Sequence, residues 1–414
     1  MPSPTRIDPA DIALHLPRGG RVLVAGASGE SLLLAEAVMA AGEGLGAMTF
    51  TGAFVPGTNH QTYLANPQCR VETFFITPAL KAAGAGVSFL PLCYNDVLDR
   101  LRTIQIDAAL MMVTPPDADG MCSFGPAVDF MAELWPRIPV RIAHINPLMP
   151  RTRGYPGIPF DQITAFVEGD QPFTGAVDAG DDPIANAIAA YIAPYVHDGA
   201  TLQMGIGKVP GAVFRALTGR RNLKVFSGLI SDGVVDLEEA GALASGVSVT
   251  AGVAIGSERL YRAIGGAAYE FQPVSVTHNP HIIAAIPNFV SINSALEIDL
   301  LGQGYSELGP KGLMSGPGGA SYYARAVKIG NGTRIIALAA TAAKGAISRI
   351  ILPGGSAGPV SLSRMDMDVI VTEFGAADLR GLGYGGKAEA LIAIAAPQHR
   401  EALERDWADY AARL

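Results

Sequence analysis

Short apolar runs alternate along the chain with longer segments in which apolar positions recur every three or four residues. The runs at residues 21–25, 108–113 and 140–145 predict buried strands, and residues 31–41 predict a helix. Alternation of strand and helix patterns is typical of an α/β fold built around a largely parallel sheet.

A second series of the same kind begins near residue 185. Residues 182–196 predict a helix and residues 201–204 a strand. A turn at 205–210 then leads to a helix predicted over 211–217. Pro210 suits the first turn of that helix, where a missing N–H costs nothing.

Three pairs of similar segments indicate that the second series repeats the first. The pairs are 20–26 with 199–205, 50–54 with 226–230, and 107–112 with 368–373. Their common order predicts an internal duplication, with one α/β domain over residues 1–180 and a similar one over 186–414. The polar segment 178–183 is the candidate linker. We expect the active site in the cleft between the two domains, because such clefts commonly hold ligands.

The composition narrows the classes of function. Apolar residues make up 49% and charged residues 16% of the 414 residues, which excludes a disordered chain. The net charge of −8 argues against a nucleic-acid partner. No apolar run reaches the ~20 residues needed to span a bilayer, and no apolar signal segment opens the sequence. We therefore expect a cytoplasmic protein without a membrane partner.

Metal binding and disulfide bonding have little support in the sequence. The three cysteines lie far apart and form no C-x-x-C pair, which argues against a zinc ribbon or a disulfide framework. His278 and His281 flank Pro280, and no third ligand stands nearby in the sequence. We expect no metal.

Two glycine-rich loops are candidates for holding an anion. Gly205-Ile-Gly207 follows a predicted strand and precedes a predicted helix, which directs backbone N–H groups toward a ligand. Ser315-Gly-Pro-Gly-Gly319 can present consecutive N–H donors to an oxyanion or a phosphate. Each loop can equally be a purely structural turn, and the residues alone leave both interpretations open.

A third glycine segment does not support nucleotide hydrolysis. Residues 381–388 match G-x-x-x-x-G-K but end in Ala388, where a P-loop needs Ser or Thr for Mg²⁺. The preceding residues 376–380 predict a helix, whereas a P-loop follows a strand.

Two carboxylates, Glu297 and Glu373, lie in apolar segments. A carboxylate at the end of a buried strand can act as an acid, a base or a nucleophile. The alternative for each is a structural hydrogen bond to a helix N-terminus.

Six segments, in order along nearly the whole chain, resemble the acetyl-CoA hydrolase/transferase family. They are 115–122, 202–213, 230–241, 292–303, 315–319 and 371–381. The resemblance implies two similar α/β domains and a reaction that moves CoA from an acyl-CoA to a free acid. In that reaction a glutamate attacks the thioester, giving an acyl-glutamyl anhydride and then a glutamyl-CoA thioester.

The resemblance also implies roles for particular residues. Gly318 matches the glycine of a second loop that contacts CoA or the reacting carbonyl, which makes it the candidate oxyanion donor. The implied partners are an acyl-CoA, with coenzyme A as product, and a small carboxylic acid or water; the implied assembly is a homodimer or larger homo-oligomer. The implied CoA-binding residues are Gly205, Ile206, Gly207, Lys208, Val209, Gly316, Gly319, Lys344 and Arg349.

One departure from the family removes the nucleophile. Similar transferases carry their glutamate in S-E-x-x-S-D-G-V-V-D-L, and residues 227–237 here read S-G-L-I-S-D-G-V-V-D-L. Gly228 occupies the place of the glutamate. Three hypotheses remain: cleavage or transfer of a thioester with Glu373 or Glu297 as base, CoA binding without catalysis, and another reaction on a CoA ester such as carbon–carbon bond cleavage.

Overall fold

The computed structural model describes residues 3–173, 180–309 and 312–414. Residues 178 and 179 of the candidate linker lie outside the described residues. The described chain divides into two compact units. The first unit comprises residues 3–173, 228–230 and 249–277, and the second comprises 180–227, 231–248, 278–309 and 312–414.

The elements described before residue 174 fall into strands, α-helices and short 3₁₀ turns. The strands are β1 Thr5–Arg6, β2 Arg21–Val24, β3 Thr49–Gly52, β4 Arg70–Thr73, β5 Val87–Phe89, β6 Ala108–Val113, β7 Met121–Cys122, β8 Val140–Ile145, β9 Ile158–Pro159 and β10 Ala165–Glu168. The α-helices are α1 Ile12–His15, α2 Leu32–Ala41, α3 Pro78–Ala83, α4 Tyr94–Thr103 and α5 Met131–Leu134. The 3₁₀ turns are Pro9–Asp11, Ala27–Gly29, Gly42–Leu45, Gly84–Gly86, Trp135–Arg137 and Phe160–Gln162.

The first sheet has the strand order β1-β10-β8-β6-β2-β3-β4-β5, and all its pairings are parallel. The predicted strands are confirmed as β2, β6 and β8. The helix predicted over 31–41 is α2, and the Ser31 side chain caps it by accepting from the Leu34 N–H. The aromatic core beside β3 stacks Phe54 on Tyr63, with ring centroids 5.4 Å apart.

The elements described from residue 180 onward are of the same kinds. The strands are β11 Thr201–Met204, β12 Lys224–Ile230, β13 Val249–Ala254, β14 Tyr269–Phe271, β15 Phe289–Ser294, β16 Glu297–Asp299, β17 Gly304–Tyr305, β18 Leu308–Gly309, β19 Gly312–Leu313, β20 Thr333–Ala337, β21 Thr341–Ala342, β22 Ile347–Ser348, β23 Ile350–Ile351, β24 Val369–Thr372 and β25 Gly375–Asp378. The α-helices are α6 Pro183–Ile192, α7 Lys208–Ala216, α8 Gly233–Glu239, α9 Glu258–Ala263, α10 Val274–Thr277, α11 Pro280–Ala285, α12 Ala320–Ile329, α13 Tyr384–Ala393 and α14 Pro397–Ala411, with 3₁₀ turns at Ala193–Tyr195 and Ala343–Gly345.

The second sheet has the strand order β14-β13-β12-β11-β15-β20-β24-β25. The strand predicted over 201–204 is confirmed as β11, and the helix predicted over 182–196 is α6 with a 3₁₀ turn after it. Two predictions are wrong. The helix predicted to start at residue 211 begins at Lys208, because Gly207 closes the turn with φ +118°. The predicted helix over 376–380 is instead strand β25, paired antiparallel with β24.

The strand orders confirm the internal duplication. Written from one edge, the seven strands β5-β4-β3-β2-β6-β8-β10 correspond position by position to β14-β13-β12-β11-β15-β20-β24. The eighth strands differ, because β1 is parallel to its neighbour and β25 is antiparallel. The pairs of segments at β2 and β11 and at β3 and β12 occupy equal positions. The third pair is wrong, because β6 corresponds to β15 and not to β24. Buried parallel strands are apolar throughout, so the sequences of two such strands can resemble each other although the strands hold different positions in their sheets.

Each sheet reverses its strand order at one point. From β11 the chain adds strands on one side and then returns to place β15 on the other, and β2 and β6 stand in the same relation. Open α/β sheets bind ligands outside the carboxyl ends of the strands at such a switch point. The turn at 205–207 leaves β11 at this position in the second sheet.

Candidate active site

The turn after β11 presents open backbone to solvent. Gly207, with φ +118° and ψ −174°, precedes the nine-residue helix α7. A β-carbon built on Gly205 or Gly207 would meet no atom within 4 Å. Among the described residues, no side chain caps the start of α7. Because the N–H groups at a helix start carry partial positive charge, this turn can receive an anion.

Lys208 adds a positive side chain to this turn. Its Nζ lies 3.0 Å from Oδ2 of Asp182, the residue that caps α6. The hydrogen bond from Lys208 holds the pKa of Asp182 below its usual value. Lys208 is 55% exposed, so this ion pair stabilises the fold little. The Lys208 side chain is therefore only weakly held by Asp182. Of the other residues of the turn, Ile206 is exposed and Val209 is half-buried.

An amide pair that sequence reasoning missed joins the two central strands at the switch point. Asn293 Nδ2 donates to Gln203 Oε1 at 2.9 Å, and Gln203 Nε2 donates to Asn293 Oδ1 at 3.2 Å. Gln203 is buried within β11, one residue before the end of the strand. The sequence signal for this pair is Gln203 itself, a polar residue between the apolar residues Leu202 and Met204.

The loop at 315–319 leads into the ten-residue helix α12. Gly318 has φ +62°, and a β-carbon there would meet no atom within 4 Å. Gly316 is buried. A β-carbon on Gly319 would lie 2.8 Å from both Cδ2 and Nε2 of His278, so this glycine is required by packing. Gly318 is therefore the open member of the loop.

His278 supports this loop as a neutral ring. Burial lowers its pKa to about 3. Its ring packs edge to face against Tyr323 of α12, with centroids 5.3 Å apart. In the described part of the chain, no three His, Cys, Asp or Glu side chains are grouped to hold a metal ion.

The two candidate carboxylates lie on segments joined by Arg349. Glu373 Oε2 accepts from the Ala340 N–H at 2.7 Å, and the Ala340 carbonyl accepts from the Arg349 N–H at 2.9 Å. The Arg349 carbonyl in turn accepts from the N–H of Ile298, the neighbour of Glu297, at 2.8 Å. Glu297 and Glu373 are both half-buried. The fold thus links Glu373 and Arg349 through a chain of hydrogen bonds that ends at the residue after Glu297.

Lys344 lies at the exposed tip of the β21–β22 hairpin. It has φ +57°, a left-handed conformation that is uncommon for a residue with a side chain. His399 of α14 is hydrogen bonded through Nε2 to the Gly345 carbonyl at 2.9 Å and holds the tip in place. The structure thus puts Lys344 on a fixed turn and not on a loose loop.

Gly228 lies inside strand β12 and belongs to the first unit. The preceding residue, Ser227, donates through Oγ to the Met204 carbonyl at 2.9 Å. The residues that follow Gly228 lead directly into α8. The strand is continuous through position 228, so the glycine removes a side chain without interrupting the backbone.

The repeated α/β sheets and the open glycine turn define a class of fold that is known from solved structures. The crystal structure of RipA from Yersinia pestis is 28% identical and has a TM-score of 0.88, covering 97% of this chain and 96% of that chain. No helix in the described residues is both long and apolar enough to cross a membrane.

The family follows from the sequence matches. Residues 5–175 match the acetyl-CoA hydrolase/transferase N-terminal domain, and residues 256–407 match its C-terminal domain. The chain is 35% identical over 331 residues to a 4-hydroxybutyrate coenzyme A transferase of Clostridium kluyveri, covering 77% of each chain. It is 34% identical over 351 residues to a succinyl-CoA:cyclohexane-1-carboxylate CoA transferase of Geobacter metallireducens, covering 81% of this chain and 80% of the relative. The chain belongs to the acetyl-CoA hydrolase/transferase family and is an enzyme of that family.

Proposed function

We propose that this enzyme cleaves or transfers the thioester of an acyl-CoA by a route that does not use a glutamate nucleophile at position 228. The observation that carries the proposal is a glycine inside a continuous β12, beside segments that match the family. A glycine has no group that can attack the thioester carbon. The glycine turns expected to bind CoA are nonetheless present and open.

The second unit supplies the groups that bind CoA in this proposal. The N–H groups at 205–208 receive an anionic part of CoA, and Lys208, Lys344 and Arg349 add positive charge. The Gly318 N–H donates to the oxygen of the reacting carbonyl, where negative charge develops during acyl transfer. Gly316 and Gly319 shape the loop around that donor.

The proposed reaction is hydrolysis. A carboxylate takes a proton from water, the water oxygen bonds to the thioester carbon, and the carbon–sulfur bond breaks. The departing thiolate takes up the proton, so the products are a carboxylic acid and free CoA. Glu373 and Glu297 are the two candidate bases predicted from the sequence. Transfer to a small carboxylic acid is the alternative outcome, in keeping with the names of the relatives.

The test is turnover of a panel of acyl-CoA thioesters with and without an added acid. We expect free CoA without any acid, and one ¹⁸O atom in the released acid when the solvent is ¹⁸O water. Borohydride trapping should leave the peptide around Gly228 unmodified. Gly228→Glu should shift the products toward CoA transfer to an added acid.

Other outcomes would replace the proposal. An absolute need for an acceptor acid, with ping-pong kinetics, would overturn hydrolysis and require a carboxylate nucleophile elsewhere. Binding of CoA without turnover would favour a protein that has lost catalysis. A product with a shortened carbon skeleton would favour carbon–carbon bond cleavage. The homo-oligomeric state and the cytoplasmic location stay predictions, to be tested by light scattering and by fractionation.

A further inference from the structure

Asp129 carries a buried carboxyl group that the sequence did not single out. Its Oδ1 is enclosed and has no hydrogen-bond partner among the described residues. Its backbone has φ +25°, inside the region that residues with side chains rarely adopt. An enclosed carboxylate oxygen without a partner and a strained backbone both cost free energy, and such features cluster at functional sites.

The backbone of Asp129 is fixed to strand β13 within the first unit. The Gly252 carbonyl accepts from the N–H groups of Val128 at 3.1 Å and Asp129 at 3.4 Å. A β-carbon on Gly252 would lie 3.6 Å from Asp129 Oδ1 and 3.0 Å from the Gly228 carbonyl oxygen. A side chain at position 252 would therefore contact both the Asp129 carboxyl group and the backbone of Gly228, the strand position that lacks the family glutamate.

Asp129 also lines a small cavity at the carboxyl ends of β2 and β3. The cavity volume is about 20 Å³, which is room for one water molecule. The other described lining residues are apolar or glycine, so none of them carries a charge that faces the carboxyl group. They are Leu23, Val24, Ala25, Gly26, Gly52, Ala53, Leu101, Ala127, Phe130 and Met131.

The cavity changes the acidity of this group. Burial raises the pKa of Asp129 to about 7, although the Phe130 N–H, which donates to the carboxylate, opposes the shift. A base with a pKa near the working pH is well matched to proton transfer. An ordinary surface aspartate is a far weaker base at neutral pH.

We propose that Asp129 is the catalytic base of this enzyme and deprotonates a water held in that cavity. The inference rests on the proposed function, since it assigns a residue to the hydrolytic step. The proton of the attacking water moves to the Asp129 carboxylate as the oxygen bonds to the thioester carbon. The carbon–sulfur bond then breaks, and the same proton passes to the CoA thiolate. Asp129 thereby supplies the carboxyl group that position 228 lacks.

The experiment compares isosteric amide variants on a thioester that the wild type hydrolyses. We expect Asp129→Asn to lower kcat by roughly 10²–10⁴-fold, the usual size of general-base catalysis. Asp129→Glu should recover part of the rate. Asp161→Asn, at an exposed aspartate of the same unit, is the matched control and should be unchanged. Glu373→Gln and Glu297→Gln should cost less than Asp129→Asn.

A pH profile separates a catalytic base from a structural residue. In the wild type, kcat/KM should rise through about pH 7 as Asp129 ionises, and this limb should be missing in Asp129→Asn. The CoA affinity of Asp129→Asn should stay unchanged, which shows that the binding site remains folded.

These experiments distinguish failure of the Asp129 inference from failure of the proposed function. An Asp129→Asn variant with the wild-type rate and pH limb would overturn this inference alone, and the proposed function would stand. Loss of turnover in Glu373→Gln with Asp129→Asn unaffected would move the base to Glu373. A wild type that releases no CoA from any thioester would overturn the proposed function and this inference together.

Discussion

The turns that follow the corresponding strands β2 and β11 differ in how closely other atoms surround them. A β-carbon on Gly26, two residues beyond the end of β2, would lie 2.1 Å from the Ala53 carbonyl oxygen. A β-carbon on Gly205, the corresponding residue beyond β11, would meet nothing within 4 Å. The two glycines align in the duplicated sequence, yet one is enclosed by its own chain and the other faces open space.

Asn59 explains why the first turn is closed. Its Oδ1 accepts from the N–H groups of Ala27 at 3.0 Å and Val55 at 2.7 Å. Its Nδ2 donates to the Ala27 carbonyl at 3.0 Å and to Glu30 Oε2 at 2.8 Å. A buried amide therefore satisfies the donors that a ligand would otherwise use. The turn after β2 therefore has a structural role, whereas the turn after β11 is open for binding.

The largest effect expected from this comparison is on stability. Gly26→Ala forces a methyl group into the Ala53 backbone, and we expect a loss on the order of 3 kcal/mol or more in the free energy of unfolding. Gly205→Ala should change it by less than about 0.5 kcal/mol, because its surroundings are open. Chemical denaturation of both variants measures the difference. Equal losses of unfolding free energy in the two variants would show that the two turns are enclosed to the same degree.

A second prediction concerns catalysis at the other open loop. Gly318→Val cannot keep φ +62° without strain, so the N–H that we propose as the oxyanion donor should move. We expect kcat to fall on the order of a hundredfold, with a smaller change in CoA affinity. Gly354→Val, at an open glycine with φ +82°, is the matched control for strain alone. A loss confined to affinity would reassign Gly318 to CoA recognition.

The smallest of the three effects is on binding at the open turn. Gly207→Asp puts a carboxylate at the proposed anion site and a side chain at φ +118°, so CoA affinity should fall by about tenfold or more in a calorimetric titration. Gly219→Asp adds the same charge near the far end of α7, at another open glycine, and should have no effect. Unchanged affinity in a folded Gly207→Asp variant would remove this turn from the site.

The sequence predicted the central strands well because buried parallel strands are apolar throughout. Strands β2, β6, β8 and β11 lie where the apolar runs are, and the duplication was visible from β2 and β11. The predictions failed where a single backbone angle decides the outcome. Gly207 starts α7 early by adopting φ +118°, and Gly375 allows β24 to reverse into β25 with φ +150°. A residue pattern does not encode which glycine takes such an angle.

The candidate site was predicted only where the residues themselves carry a recognisable pattern. The glycine turns are such patterns, and the structure places them at helix starts. Asp129 was missed because its backbone is held by Gly252, which lies far away in the sequence. Its immediate neighbours, Val128 and Phe130, are those of an ordinary amphipathic segment. The difference between the closed and open turns was equally hidden, since it depends on Asn59.

The contact between Gly319 and His278 has a consequence for how this enzyme can diverge. The imidazole fills the space that any side chain at 319 would need, so neither position can change freely by itself. A larger residue at 319 becomes acceptable only after 278 has become smaller, and a smaller residue at 278 opens a gap under α12. We expect the two positions to covary among relatives, with the order of the substitutions constrained: the histidine has to be replaced before the glycine.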